Sequence, residues 1–210
     1  MLPGLISFLA DYPGMGVVPS RQAGLVLKGR FAFHARQQDG ARPIEDNYHL
    51  RIDIPPGFPR DLPKVTELDL KIPRTAKHHV NWDGTLCLGS PLRILQKLAR
   101  RATLNGFAED CIVPYLYAAS HRRIHGGELL FSELAHGRDG ELADYVDLFS
   151  LKNSAQAKQV LLALGTKKRL ANKLPCPCGC EKRLGRCVFN RKVAQFRRMA
   201  SRSWFRSLDF

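Results

Sequence analysis

Two segments in which apolar and polar residues alternate constrain most strongly how this chain can fold. In NYHLRIDIP the apolar residues occupy every second position: Tyr48, Leu50, Ile52 and Ile54. GRFAFHAR, residues 29–36, repeats the pattern, and a period of two is typical of a strand that buries one face. The link between the two segments contains a glycine and a proline, so we expect an antiparallel hairpin.

The rest of the chain extends this hairpin into an α+β fold. KVTELDL, residues 64–70, predicts a third strand after a link whose prolines exclude it from a sheet. From residue 90 onward the apolar positions follow helical spacing. We expect a helix that Asn105-Gly106 breaks, a second helix over 107–119, and short helices within 140–151 and 155–170. Strands followed by helices indicate the α+β class.

Charge divides the chain into two parts. Residues 1–150 contain 18 Lys and Arg and 17 Asp and Glu, whereas residues 151–210 contain 15 and 2. The net charges are therefore +1 and +13. We predict a near-neutral globular domain over 1–150 and a basic helical tail over 151–210. With 44% hydrophobic residues, the chain can build a core without disulfides.

The sequence predicts a cytoplasmic protein that does not insert into membranes. No apolar run approaches the roughly 18 residues of a membrane span. The apolar start MLPGLISFLADYPGM has neither a basic leader nor a small-residue cleavage site. Because thiols stay reduced in the cytoplasm, the six cysteines indicate packing, catalysis or metal binding.

The stretch HHVNWDGTLCLG, residues 78–89, contains the first candidate site. Asp83-Gly84 is a turn dipeptide, so we expect Cys87 at the end or rim of a strand. This cysteine is a small buried residue, a metal ligand or a nucleophile. Cys111 differs because it lies among apolar residues of a predicted helix, and we interpret it as a core residue.

The order of these features resembles the ubiquitin-conjugating enzyme family. The matching pieces are YHLRIDIPPGFPRDLPKV, where the family has its third strand and proline-rich link, and HVNWDGTLCLG, where it has its His-Pro-Asn motif and active cysteine. The resemblance covers about residues 48–88 and implies an antiparallel meander with flanking helices. It also implies that Cys87 forms a thioester, that Asn81 is the family's asparagine and that His79 shapes the loop.

The chemistry that this resemblance implies is acyl transfer by a ubiquitin-conjugating-like enzyme. A thiolate at Cys87 accepts the C-terminus of a ubiquitin-like modifier, or of a modifier-like protein tail, and passes it to an amine. An amide donor such as Asn81 then steadies the oxyanion, and losing such a donor typically costs roughly 100- to 1,000-fold in rate.

The motif departs from the family's usual pattern in ways that resemble its bacterial branch. Val80 replaces the family's proline, and Ser90-Pro91 follows the cysteine in place of a Trp-x-x-Pro landmark. Members of that branch occur in antiphage operons beside adenylating enzymes, ubiquitin-like modifiers or nucleotidyltransferases. The resemblance therefore implies a role in antiphage defence with such partners.

The basic tail contains a second candidate site. Its segment LPCPCGCEKRLGRCVFN holds four cysteines: Cys176, Cys178, Cys180 and Cys187. Four thiolates can close a tetrahedral zinc site, whereas disulfides fit poorly with a reducing compartment, so we predict structural zinc. Residues 175–190 resemble the SEC-C motif, a small zinc element. The motif's usual fourth ligand position holds Val188, and we expect Cys180 to supply that ligand.

The segment after these cysteines leaves alternatives for the tail and for the whole chain. FNRKVAQFRRMASRSWFRSLDF places apolar residues at helical spacing among arginines. This pattern fits a helix packed on its own domain, or a docking surface for an acidic protein or nucleic acid. The protein is accordingly an acyl carrier, a non-catalytic modifier- or peptide-binding module of the same fold, or a basic nucleic-acid adaptor. Cys87 favours the enzyme, because inactive members of the family usually lack the cysteine.

Overall fold

The structure, a computed structural model, describes residues 2–21, 23–36, 43–127 and 137–208. The chain divides into two compact units, Met1–Glu133 and Leu134–Phe210. This division lies before a helix at Gly137–Phe149, whereas the excess of positive charge begins after that helix.

The first unit contains a four-stranded antiparallel sheet in the order β1-β2-β3-β4. The strands are β1 (Met15–Val18), β2 (Leu25–Ala35), β3 (Ile44–Ile54) and β4 (Lys64–Glu67). The predicted hairpin is confirmed, since Phe31 pairs with Tyr48 across β2 and β3. The predicted third strand is β4. The sequence reasoning missed β1, which pairs with β2.

Helices of the first unit lie at α1 (Leu5–Asp11), α2 (Pro91–Arg100), α3 (Leu104–Phe107) and α4 (Val113–His125). A π-helical turn, Ala108–Ile112, connects α3 to α4, and a 3-10 turn covers Ala76–His78. The sheet residues Leu27, Leu50 and Ile52 are fully buried in one core with Leu116 of α4. Cys111 belongs to this core, as predicted.

The predicted helix break at Asn105-Gly106 is wrong. Both residues lie within α3, and the chain leaves helical conformation before Thr103 instead. The Thr103 hydroxyl caps α3 by accepting a 3.1 Å hydrogen bond from the amide of Gly106. A Cβ at position 106 would lie 2.4 Å from the carbonyl oxygen of Arg101. Glycine is therefore required here by close packing rather than by a turn.

The second unit is helical in its described part. Its elements are α5 (Gly137–Phe149), α6 (Ser154–Gly165), α7 (Lys168–Ala171), a 3-10 turn (Leu184–Arg186), α8 (Phe189–Met199) and α9 (Arg202–Ser207). Helix α6 packs against α5, α8 and α9. Val160, Leu164 and Phe196 are among the buried apolar residues of this unit.

The α+β class is confirmed by these elements. No helix within the described ranges is long and apolar enough to cross a bilayer.

Candidate functional site

Cys87 lies on a tight hairpin that backbone hydrogen bonds close. The amide of Asn81 donates to the carbonyl of Thr85 at 2.8 Å, and the amide of Cys87 donates to the carbonyl of His79 at 2.7 Å. At the turn, the amide of Gly84 donates to the carbonyl of Asn81 at 2.9 Å. Gly84 has a φ of +81°, a left-handed conformation that favours glycine. The predicted Asp83-Gly84 turn is thus confirmed.

The hairpin has one buried face and one open face. Val80 pairs with Leu86, both side chains are buried in the core, and the amide of Leu86 donates to the carbonyl of Val65 in β4 at 2.7 Å. Side chains alternate along an extended strand. Asn81 and Cys87 therefore lie on the face opposite to Val80 and Leu86, where Asn81 is exposed and Cys87 is partly exposed.

His79 has a left-handed backbone conformation at the entry to the hairpin. It has φ 52° and ψ 44°, a left-handed conformation that costs a non-glycine residue roughly 1 kcal/mol or more. Its side chain is buried, and its carbonyl accepts the Cys87 amide. His79 thus turns the chain from the 3-10 segment Ala76–His78 into the hairpin.

The side chain of Asn81 is oriented by a short hydrogen-bond chain. Asn81 Nδ2 donates to Thr85 Oγ1 at 2.9 Å, and Thr85 Oγ1 donates to Asp83 Oδ1 at 2.6 Å. Partial burial acts to raise the pKa of Asp83, but hydrogen bonds from Thr85 and the charge of Lys64 outweigh it, so this pKa is lowered. Because an amide nitrogen carries two hydrogens, the bond to Thr85 leaves Asn81 one hydrogen for another acceptor.

Helix α4 holds the segment before the hairpin at two carbonyl groups. The hydroxyl of Tyr115 donates to the carbonyl of His78 at 2.7 Å, and Arg122 Nη1 donates to the carbonyl of Lys77 at 2.5 Å. Burial raises the pKa of the Tyr115 phenol, and negative charge at Cys87 raises it further. Tyr115 therefore holds the backbone segment whose next carbonyl, that of His79, accepts the Cys87 amide. The sequence reasoning missed it because the contact spans a long stretch of chain.

Trp82 at the tip of the hairpin is the second residue that the sequence reasoning missed. Its side chain is 100% exposed, which is unusual for the largest apolar residue type. It directly follows Asn81 in a turn that backbone hydrogen bonds hold. The hairpin thus presents a thiol, an amide and an exposed aromatic ring.

The four cysteines of the second unit form one cluster, and their Sγ atoms all lie within 4.8 Å of one another. The Sγ of Cys178 lies 3.3 Å from that of Cys176 and 3.6 Å from that of Cys187, and Cys180 Sγ lies 3.5 Å from Cys187 Sγ. These distances are longer than the sulfur–sulfur bond of a disulfide, which is about 2.05 Å. They approach the roughly 3.8 Å edge of a tetrahedron with metal–sulfur bonds of about 2.3 Å. The cluster could therefore hold a metal ion such as zinc.

Local backbone structure brings these four cysteines together. The amide of Gly179 donates to the carbonyl of Cys176 at 3.0 Å, which closes a turn around Cys178, and Gly179 has a φ of +77°. Cys187 lies just before α8, and the amide of Phe189 donates to its sulfur at 3.4 Å. The hydrogen bond from the Lys182 amide lowers the pKa of Cys180 to about 7, whereas burial raises the pKa of Cys176.

Cys180, which the sequence predicted as the fourth ligand, lies within the cluster. Val188 cannot coordinate a metal, and its side chain is 78% exposed. The residues present thus supply four sulfur donors without position 188.

Comparisons of the chain with protein-family models, curated proteins and solved structures found no match. The resemblances to ubiquitin-conjugating enzymes and to the SEC-C motif therefore depend on the residues quoted above.

Proposed function

We propose that this protein is a ubiquitin-conjugating-like acyltransferase that carries an acyl group as a thioester on Cys87. The acyl group is the C-terminus of a ubiquitin-like modifier or of a modifier-like protein tail. The observation that carries the proposal is the hairpin, which presents the partly exposed Cys87 and the exposed amide of Asn81 on one face.

The proposed reaction has two steps, and Asn81 acts in both. In the first, the Cys87 thiolate attacks the carbonyl of an acyl adenylate, a C–S bond forms, and AMP leaves. In the second, a target amine attacks the thioester, the C–S bond breaks, and the thiolate returns while the amine releases a proton to solvent. Each tetrahedral intermediate bears an oxyanion, and in this proposal the Asn81 N–H that is not bonded to Thr85 donates to it.

The partners of this reaction follow from its chemistry and from the bacterial resemblance. A modifier and an adenylating enzyme supply the acyl adenylate, in the cytoplasm, where Cys87 stays reduced. Antiphage defence is the proposed setting, and a nucleotidyltransferase in the same operon is the alternative partner. Genes for an adenylating enzyme and a modifier beside this gene would support conjugation.

We further propose that the cluster of Cys176, Cys178, Cys180 and Cys187 binds structural zinc. Zinc prefers four thiolate ligands in a tetrahedral arrangement, which the sulfur distances of the cluster approach. The bound ion would stabilise the loop between Cys180 and Cys187, because that loop begins and ends at a ligand.

Thioester formation on Cys87 provides the decisive experiment. The full chain is incubated with the cognate adenylating enzyme, modifier and ATP. We expect an adduct, seen by intact mass, that dithiothreitol removes and that Cys87→Ala does not form. Absence of the adduct with the cognate partners, or its persistence in Cys87→Ala, would contradict the proposal.

A matched pair of asparagine variants tests the oxyanion donor. In Asn81→Ala we expect transfer from the thioester to hydroxylamine or lysine to slow by roughly 100-fold. Asn47→Ala, which also removes an exposed amide from the first unit, should transfer at the wild-type rate. Equal rates in both variants would remove Asn81 from the mechanism.

A non-catalytic binding module of the same fold is the second candidate, and the complete exposure of Trp82 favours it. In that case Trp82→Ala abolishes retention of the modifier, while native Cys87 stays closed to N-ethylmaleimide. Rapid labelling of Cys87 together with thioester formation would favour the enzyme.

A further inference from the structure

We propose that the second unit binds the phosphate backbone of nucleic acids through a basic surface beside the four-cysteine cluster. We call this surface the knuckle surface. It consists of six exposed cationic side chains: Lys168, Arg169, Lys173, Lys182, Arg183 and Arg186. It belongs to the second unit, whereas the hairpin that carries Cys87 belongs to the first, and the inference does not depend on the proposed acyl transfer.

Backbone hydrogen bonds place the two parts of the knuckle surface side by side. The amide of Gly185 donates to the carbonyl of Asn172 at 3.0 Å, and the amide of Leu184 donates to the carbonyl of Leu174 at 2.9 Å. Pro175 and Arg183 form an antiparallel bridge. The segment from α7 to residue 176 thus runs directly beside residues 182–186, so their exposed cations lie on neighbouring segments.

Glycine at position 185 allows this close approach. A Cβ on Gly185 would lie 2.9 Å from both the carbonyl oxygen and the Cβ of Asn172. Since such distances are shorter than ordinary van der Waals contact, a larger residue would push the two segments apart. The sequence therefore keeps the two basic segments in contact.

The charge on this part of the chain is almost entirely positive. Residues 151–208 contain 15 Lys and Arg but a single carboxylate, Glu181. The six cations are therefore not neutralised by carboxylates from the same stretch. Their mutual repulsion is relieved when a polyanion binds and releases its condensed counterions.

The composition of the knuckle surface favours nucleic acid over an acidic protein. Protein interfaces generally need an apolar core, whereas here the exposed apolar residues are the isolated Leu170 and Val188. Neither is aromatic, so the surface offers no stacking platform for bases. Arginine forks pair well with phosphate oxygens. We therefore expect binding that depends on the backbone and not on the base sequence.

Fluorescence anisotropy with defined probes tests this proposal on the full-length protein. The probes are a fluorescein-labelled 20-nucleotide RNA and a 20-base-pair DNA duplex, both of mixed sequence. We expect binding at 50 mM KCl that weakens roughly 100-fold for the duplex at 200 mM KCl, as expected for about four phosphate contacts. The two probes show whether RNA, DNA or both supply the phosphates.

Two triple variants that lose the same charge distinguish binding at the knuckle surface from non-specific attraction of nucleic acid to the positive charge of the whole protein. Lys182→Ala/Arg183→Ala/Arg186→Ala should lower the affinity at least tenfold and reduce the salt slope by about two to three. Lys158→Ala/Arg202→Ala/Arg206→Ala removes three exposed cations from α6 and α9 and should stay within about threefold of wild type. The charge-conserving variant Lys182→Arg/Arg183→Lys/Arg186→Lys should keep the salt slope of wild type, because its charge is unchanged, and it controls for folding.

Three results would overturn the inference. These are no binding of either probe at 50 mM KCl, equal losses in the two alanine variants, and displacement of the probe by poly-L-glutamate as efficiently as by unlabelled RNA. The last result would assign the surface to an acidic protein instead. Cys87→Ala should bind both probes normally, so failure of the acyl-transfer proposal would leave this test intact.

Discussion

The hydroxyl of Tyr115 donates a 2.7 Å hydrogen bond to the carbonyl of His78. Tyr115 belongs to α4, and His78 ends the 3-10 turn before the hairpin. The next carbonyl, that of His79, accepts the amide of Cys87. One buried phenol therefore connects the helix to the backbone that positions the thiol.

Removing the hydroxyl of Tyr115 should loosen the hairpin that carries Cys87. In Tyr115→Phe we expect the free energy of unfolding to fall by about 1 kcal/mol, the usual contribution of one hydrogen bond. Exchange of the Cys87 amide hydrogen should also become faster, because the segment that accepts it has lost a support. Tyr117→Phe makes the same chemical change on the same helix and should leave that exchange rate unchanged. Equal exchange in the two variants would show that Tyr115 does not hold the hairpin.

The two cysteines of the first unit should differ strongly in reactivity. Cys87 is partly exposed, whereas Cys111 is 1% exposed, and burial raises the pKa of its thiol to about 11. Thiolates are the reactive form, so iodoacetamide at pH 7.5 should modify Cys87 at least about tenfold faster than Cys111. Peptide mass mapping of the native protein gives both rates. Faster modification of Cys111 than of Cys87 would show that Cys87 is not the accessible thiol of the first unit.

Metal analysis of single variants tests the ligand set of the cluster. The wild-type chain should contain about one zinc ion, and Cys176→Ser and Cys180→Ser should lose it to a similar extent. Cys87→Ser removes a thiol from the first unit and should retain the metal. Full zinc content in Cys180→Ser would exclude Cys180 from the ligand set.

Features of the fold and of the sites that depend on a local sequence pattern could be predicted from the sequence. Alternation in residues 29–36 and 47–54 indicated the β2–β3 hairpin, since one buried face imposes a period of two. Four cysteines within a short segment indicated the cluster, because a segment of that length has little core of its own and four thiols can hold it together through a metal ion. The turn before Cys87 was likewise indicated by the dipeptide Asp83-Gly84.

Features that depend on distant packing could not be read from the sequence. Strand β1 has only four residues, and it forms because Met15 pairs with Gly29, where a Cβ would lie 2.1 Å from the carbonyl oxygen of Gly14. Gly106 suggested a turn, but the structure uses it for packing against Arg101. The hydrogen bond from Tyr115 to the segment before the hairpin similarly required the helix and that segment to be placed in three dimensions.

The carboxylate of Asp46 should make the first unit sensitive to acid. Its side chain is 9% exposed and accepts hydrogen bonds from Lys71 at 2.5 Å, Ser120 at 2.7 Å and Arg123 at 2.8 Å. Burial acts to raise the pKa of Asp46, but these bonds outweigh it, and the pKa lies well below its usual range. A carboxyl with a lower pKa in the folded state binds fewer protons there than in the unfolded chain. Its stabilisation is therefore present above about pH 4 and is lost as the pH falls below that value.

Asp46→Asn should accordingly lower the free energy of unfolding by about 2 kcal/mol at pH 6, because it leaves partly buried cations without their anion. The difference from wild type should shrink as the pH falls from 4 to 2, since the carboxyl of the unfolded wild-type chain then binds a proton that the folded state excludes. Asp53→Asn removes a more exposed partner of Arg51 on the same strand and should cost less than about 1 kcal/mol. Urea denaturation at pH 6, 4, 3 and 2 measures these differences. If the Asp46→Asn difference stayed constant across this range, ionisation of Asp46 would not be the source of its stabilising effect.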